Sequence, residues 1–213
     1  MARAVVGLSN AKSISAGKGG LSCAVIANGS AKCWGGNTYG AVGNGTTIDA
    51  NAPVTVVGSK NMTQISAGWD HSCARLATGT AMCWGADDTS QLGDGSTSAK
   101  SKPVPVNKLS GATMIDAAHG YTCSLQSDGT ARCWGSNSVG YLGNGTVTNS
   151  TFPVTVLRPG LGRWSSIASG ADHTCSLDAY GSVWCWGFNG TGQLGSAAIG
   201  QSFEATPVSV AGL

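Results

Sequence analysis

Short runs of alternating apolar and polar residues, cut by glycine-rich turns, fill this chain, and no run of useful length has helical spacing. The runs recur as a set. The blocks are SCAVIANGSAKCWG from Ser22, SCARLATGTAMCWG from Ser72, TCSLQSDGTARCWG from Thr122 and TCSLDAYGSVWCWG from Thr174. Ile14, Ile65, Ile115 and Ile167 precede them, and a Pro-Val-x-Val segment follows at Pro53, Pro103, Pro153 and Pro207. Each copy therefore predicts four short strands, placed in the second copy near residues 62–67, 71–76, 80–86 and 103–106.

The leading cysteines Cys23, Cys73, Cys123 and Cys175 lie 50, 50 and 52 residues apart. A four-stranded unit cannot bury both its faces alone and must stack on its neighbours, so the repeat predicts an all-β chain of propeller blades made of antiparallel sheets. Residues 1–213 read as one repeat domain, with copies at approximately 8–58, 59–109, 110–160 and 161–213. The final segment PVSVAGL stands in the same phase as ARAVVGL at residues 2–8, which makes four periods of about 51 residues. Closure within one chain would leave one of these two segments redundant and free to pair with another chain.

In every copy the cysteines are ten positions apart, and a turn ending in Gly29, Gly79, Gly129 or Gly181 lies between them. A three-residue loop with a left-handed glycine sets Ile26 opposite Ser30, and therefore Cys23 opposite Cys33 at a separation a disulfide can span. The same count pairs Cys73 with Cys83, Cys123 with Cys133 and Cys175 with Cys185. A two-residue loop would instead set Cys23 against Trp34. Metal ligation is the competing reading, with His71 or His173 beside a cysteine, but Leu21 and Tyr121 hold that place in the other copies and no four-ligand set results. Reduced, buried thiols are the remaining alternative. Four bridges predict an oxidising compartment, extracellular or periplasmic.

Composition narrows the function classes. Hydrophobic residues are 41% of the 213, enough for a core, while charged residues are only 10% and the formal net charge is +2. The basic residues are scattered, so no face is suited to neutralising several phosphates, and nucleic acid is not an expected partner. No signal peptide and no apolar run long enough for a membrane span is visible, so no membrane partner is expected either.

The fourth copy carries Gly170, His173 and Thr174, then Trp186, Gly187, Asn189, Gly192, Gln193, Leu194 and Gly195. This pattern resembles the repeat of the regulator of chromosome condensation family, and the resemblance runs over essentially the whole chain. It implies a ring of four-stranded blades, usually seven, whose sheets are offset from the sequence repeat. The paired cysteines resemble a cysteine-bearing variant found in bacterial or extracellular relatives. The family includes a nucleotide exchange factor for a small GTPase, chromatin binders, plant photoreceptors and a secreted β-lactamase inhibitor, so a guanine-nucleotide exchange or chromatin-type role is an analogy of fold alone. An open array of four copies exposes blade faces and strand edges. The expectation is a homodimer that completes an eight-bladed ring, with a closed four-bladed ring and a fragment of a longer propeller as alternatives.

Trp34, Trp84, Trp134 and Trp186 follow the second cysteine of each pair and are read as packing between blades, with a sugar-stacking ring as the alternative. Trp69, Trp164 and Trp184 break the repeat and are the aromatic candidates for partner contact. Asn37, Asp87, Asn137 and Asn189 lie in the segments that vary most between copies and are the polar candidates. No convergent nucleophile, base or metal set is evident, and neither catalysis nor a cofactor is expected. The expected function is a non-enzymatic scaffold presenting loops to a protein partner, and the alternative is a repeat lectin that binds glycans.

Overall fold

The structure is a computed structural model that describes residues 4–160, 162–196 and 202–212. Among the described residues sixteen strands form four antiparallel sheets, each with its strands in sequence order. Blade 1 holds β1 (Ala11–Ala16), β2 (Leu21–Ile26), β3 (Ala31–Gly35) and β4 (Ala50–Thr55). Blade 2 holds β5 (Met62–Ala67), β6 (His71–Leu76), β7 (Ala81–Gly85) and β8 (Lys100–Pro105). Blade 3 holds β9 (Ala112–Ala117), β10 (Tyr121–Gln126), β11 (Ala131–Gly135) and β12 (Ser150–Thr155). Blade 4 holds β13 (Trp164–Ser169), β14 (His173–Asp178), β15 (Val183–Phe188) and β16 (Phe203–Ser209).

The central hairpin sets the register. Ile26 N–H donates to Ser30 at 2.8 Å and Gly29 N–H donates to Ile26 at 2.9 Å, with Gly29 at φ 80°. From that turn the ladder pairs Cys23 with Cys33, and the equivalent hairpins pair the other three sets. All four disulfides are formed, each with its Cα atoms 4.1 Å apart.

The outermost strand is longer than its apolar residues suggest. The expected 103–106 strand is Lys100–Pro105, because polar Lys100 pairs with Gly85 beyond a bulge in the ladder. Proline has no N–H to donate and is tolerated there because the strand is an edge.

Each blade turns one face, its front, toward the next blade. The front of blade 1 (Leu21, Cys23, Val25, Cys33) packs on the back of blade 2 (Ile65, Ala74, Trp84) in one apolar cluster. Trp84, Trp134 and Trp186 are each 0% exposed and seal the three joints. Their indole Nε1–H groups donate across the joint to the carbonyls of Ala41 (2.8 Å), Gln91 (3.0 Å) and Tyr141 (2.9 Å). A Cβ on Gly43 would lie 2.6 Å from the Trp84 nitrogen, so only glycine lets the loop close over the ring.

The four blades do not close on themselves. Ile14 is 69% exposed, whereas Ile65, Ile115 and Ile167 are 3%, 1% and 4% exposed, so no blade covers the back of blade 1. This replaces the closed four-bladed alternative with an open array. Of the two redundant end segments, the carboxy-terminal one is used, since β16 completes blade 4 through Cys185 and Val208. Ala4–Leu8 form no strand, and residues 1–3 and 213 lie outside the described residues.

Candidate binding face

Up-and-down strand order puts two loops of every blade at the same end: the link from first to second strand, and the long link from third to fourth. Both must be held rigid to make a surface. The long loop is built around one side chain three residues after the joint tryptophan. Asn37 accepts from Val42 N–H at 2.8 Å and donates to the carbonyls of Thr46 (3.0 Å) and Ile48 (2.9 Å). Asn137 repeats this with Leu142 (2.9 Å), Thr146 (2.9 Å) and Thr148 (3.1 Å). Asn189 accepts from Leu194 at 3.2 Å.

Asp87 keeps the acceptor half of the motif and loses the donor half. It takes Leu92 N–H at 3.0 Å and Ser96 Oγ–H at 2.9 Å. A carboxylate cannot donate to the loop carbonyls, and the Lys100 ammonium does so instead, reaching Ser98 O at 2.7 Å while it pairs with Asp94 at 3.6 Å. Burial pushes the Asp87 carboxyl up to about 6, against the hydrogen bonds it accepts.

These four residues are 1% (Asn37), 1% (Asp87), 0% (Asn137) and 8% (Asn189) exposed, so their side chains are loop cores and not contact groups. That corrects their reading as partner contacts. Trp164 is corrected likewise: it is 3% exposed and packs with Trp186 at 6.1 Å between ring centroids. Trp184 is half-buried and donates to Asp178 at 3.1 Å. Trp69 remains on the surface, and its ring lies 4.5 Å from that of His119.

Trp69 lines a smaller cleft, and His119 lines one of about 310 Å³ on the loop face, with other groups from blades 2, 3 and 4 and Tyr39 of the first. Its titratable groups are Asp70, Asp88, Asp172, His119, Tyr39, Tyr121 and Tyr141, and no lysine or arginine lines it. Burial holds the Asp70 carboxyl above its ordinary range, with His119 opposing and Asp88 adding to the shift. The Tyr121 phenol is pushed up by burial; it donates to His173 O at 2.8 Å, accepts from Thr174 at 3.0 Å and stacks on Tyr141. His71 is not in the cleft. Its ring is buried in the second joint, bonded to Thr122 Oγ1 at 2.9 Å, and burial lowers its pKa to about 3. Asp70, in the bend before β6, lines the cleft, whereas His71 opens β6 and is buried in the joint.

A second cleft, of about 170 Å³, lies where the innermost strands converge. Those strands tie to one another through side chains: Ser15 Oγ accepts Ala67 N–H (3.0 Å), Ser66 Oγ accepts Ala117 N–H (3.0 Å), and Asp116 accepts Ser169 N–H (2.6 Å). Asp116 also accepts from Ser66 Oγ at 3.1 Å, and burial holds its carboxyl above the usual range. Sequence reading missed this residue. The available signal was the break in the series Ser15, Ser66, Asp116, Ala168. Among the described residues, no three histidine, cysteine or acidic side chains are grouped to hold a metal ion.

The Regulator of chromosome condensation (RCC1) repeat matches residues 28–75, 78–125 and 128–177, and a second model of the same repeat matches 62–91 and 164–193. The first set begins at the central hairpin and ends in the next blade, so sequence repeat and sheet are offset. No curated protein sequence matches the chain. Among solved structures, human WBSCR16 is 23% identical with a TM-score of 0.80, over 92% of this chain and 52% of that one. Prp20p from Saccharomyces cerevisiae, described with its binding properties to Gsp1p and histones, is 21% identical with a TM-score of 0.79, over 92% and 50%. Yeast RCC1 (Prp20) bound to Kap60 is 20% identical with a TM-score of 0.76, over 92% and 48%. The chain spans about half the length of these proteins, and the likeness is one of fold. With the repeat matched over most of its length and built into stacked four-stranded blades, this chain belongs to the regulator of chromosome condensation (RCC1) repeat family.

Proposed function

We propose that the chain is a non-enzymatic scaffold whose loop face receives a cationic segment of a protein partner, in an oxidising extracellular or periplasmic setting. The observation that carries this is the cleft with Asp70, Asp88 and Asp172 in its lining, His119 beside them, and no lysine or arginine among the described lining residues. Carboxylates held on rigid loops beside tyrosine rings suit lysine or arginine side chains, through charge and through stacking. Protein binding by Prp20p, the yeast RCC1, supports the use of this fold as a docking surface. The buried disulfides support the compartment.

A repeat lectin would place equivalent groups in every blade. Here the cleft combines groups that differ from blade to blade, which favours a single protein epitope. The test sets a panel of Arg/Lys-rich peptides against a glycan array. Salt-sensitive peptide binding is expected, about tenfold weaker in the Asp70→Asn/Asp88→Asn/Asp172→Asn variant, equivalent to roughly 0.5 kcal/mol per solvent-screened carboxylate. Saturable sugar binding at several sites per chain, or peptide binding indifferent to the triple substitution, would overturn the reading.

A further inference from the structure

We propose that the two end sheets are the halves of one more blade joint, made head to tail with a second copy of this chain, so that two chains close a single eight-bladed ring. This does not depend on the loop-face reading, since the joint uses the sheet faces and not the cleft.

The chain shows three times what its joint requires. The back face supplies an isoleucine, a joint tryptophan and a small hydroxyl residue; Ser72, Thr122 and Thr174 are each 0% exposed inside a joint. Blade 1 carries the same set as Ile14, Trp34 and Ser22, all at least partly open to solvent. The front face supplies a disulfide, an apolar strand residue and a loop carbonyl. Cys23, Cys73 and Cys123 are 0% exposed, whereas blade 4 leaves Cys175 partly open and Leu177 40% exposed. Gln193 follows Ala41, Gln91 and Tyr141 in the series of carbonyls that receive an indole N–H, and Leu194 is already 0% exposed in the place of Val42, Leu92 and Leu142. The fourth joint therefore sets Trp34 Nε1–H of one chain on Gln193 O of the second.

The occupant follows from this continuity. Front and back of this repeat fit each other at every internal joint, and the described residues leave one front and one back uncovered. A head-to-tail contact that curves closes by rotation, and a pair then has two identical joints. Eight blades lie within the usual range of propellers, about four to eight.

Light scattering on the purified chain at tens of micromolar is expected to give the mass of two chains. Ile14→Asp spoils only the back half and Leu177→Asp only the front half, and both positions are exposed within one chain, so the blades still fold, as circular dichroism would verify. Each variant alone is expected to be monomeric, its self-association weakened at least about a hundredfold by a carboxylate buried without a partner. A monomeric wild type, a species that grows past two chains, or an Ile14→Asp or Leu177→Asp chain that still pairs would each overturn the closed pair. Loss of peptide binding in the cleft leaves all these masses unchanged, so the two proposals fail separately.

Discussion

The indole nitrogen of Trp84 donates to the carbonyl of Ala41 at 2.8 Å across the first blade joint, while Gly43 lies against the same ring. A buried N–H has to find an acceptor, and here the acceptor belongs to the neighbouring blade, so burial and blade order are set by one contact. Trp84→Phe keeps most of the apolar surface and removes one of two bonds to the Ala41 carbonyl, which still accepts from Ser72 Oγ at 3.0 Å. The expected loss is about 0.5–1.5 kcal/mol of unfolding free energy, read by urea denaturation. Trp134→Ala, which opens a cavity in the second joint, is expected to cost about 3–5 kcal/mol.

Gly93→Ala tests the other side of that contact. The residue sits at φ 70°, and an added Cβ would lie 2.7 Å from the Trp134 nitrogen. Strain and overpacking act together, and a loss of about 2–4 kcal/mol is expected. Gly58→Ala is the control, with φ 68° and no atom within 4 Å of the added carbon. It is expected to cost only the backbone share, about 1 kcal/mol, in the same denaturation series.

The disulfides give a prediction of mass. Alkylation of the denatured, unreduced chain is expected to add nothing, and alkylation after reduction to add eight groups, since all eight cysteines are paired. Replacing Cys123 and Cys133 by alanine is expected to cost about 2–3 kcal/mol through the ten-residue loop they close, plus packing lost in the third joint. Four free thiols or more before reduction would contradict the pairing.

Hairpin register and disulfide pairing were legible in the sequence because one glycine-closed turn determines every pair above it, from Ile26 and Ser30 up to Cys23 and Cys33. The edge strand at Lys100–Pro105 was only half legible, because its first three residues are polar and only Lys100 of them has a ladder partner, Gly85, beyond the bulge. Asn37, Asp87, Asn137 and Asn189 were read as surface groups because polar loop residues ordinarily face water. Their invariant position three residues after the joint tryptophan was the sign of a structural part, since the groups that differ between blades are the ones free to serve a partner. The cleft was not legible at all. It depends on the curvature that brings Asp70 and Asp88 of blade 2 and Asp172 of blade 4 to one cleft.

Asp116 is the acidic member of a series otherwise built from serine and alanine, and its burial disfavours the charge while two hydrogen bonds favour it. Asp116→Asn keeps an oxygen for Ser169 N–H and removes the charge, so it is expected to change stability by less than about 1 kcal/mol. Asp116→Ala leaves that N–H without its partner and is expected to cost about 1–3 kcal/mol. Thermal melts of the two variants against wild type separate an acceptor role from a charge role.

Asp87 allows the sharpest test of pH. Its folded pKa of about 6 lies above the ordinary aspartate value near 3.8, so the folded state binds the proton more tightly than the unfolded chain does. The charged carboxylate therefore weakens the fold above pH about 6, and stability rises as the pH falls from there toward about 4. Asp87→Asn removes this dependence and supplies the amide donor that Asn37 and Asn137 use in their own loops. At pH 7 the variant is expected to be more stable by roughly 1–2 kcal/mol, allowing for solvent screening and for Lys100 nearby, and near pH 4 the two proteins are expected to converge. Melting temperature measured across that window decides it. A wild type whose stability falls steadily from pH 6 to pH 4, with Asp87→Asn falling in parallel, would assign the acid sensitivity to other carboxylates.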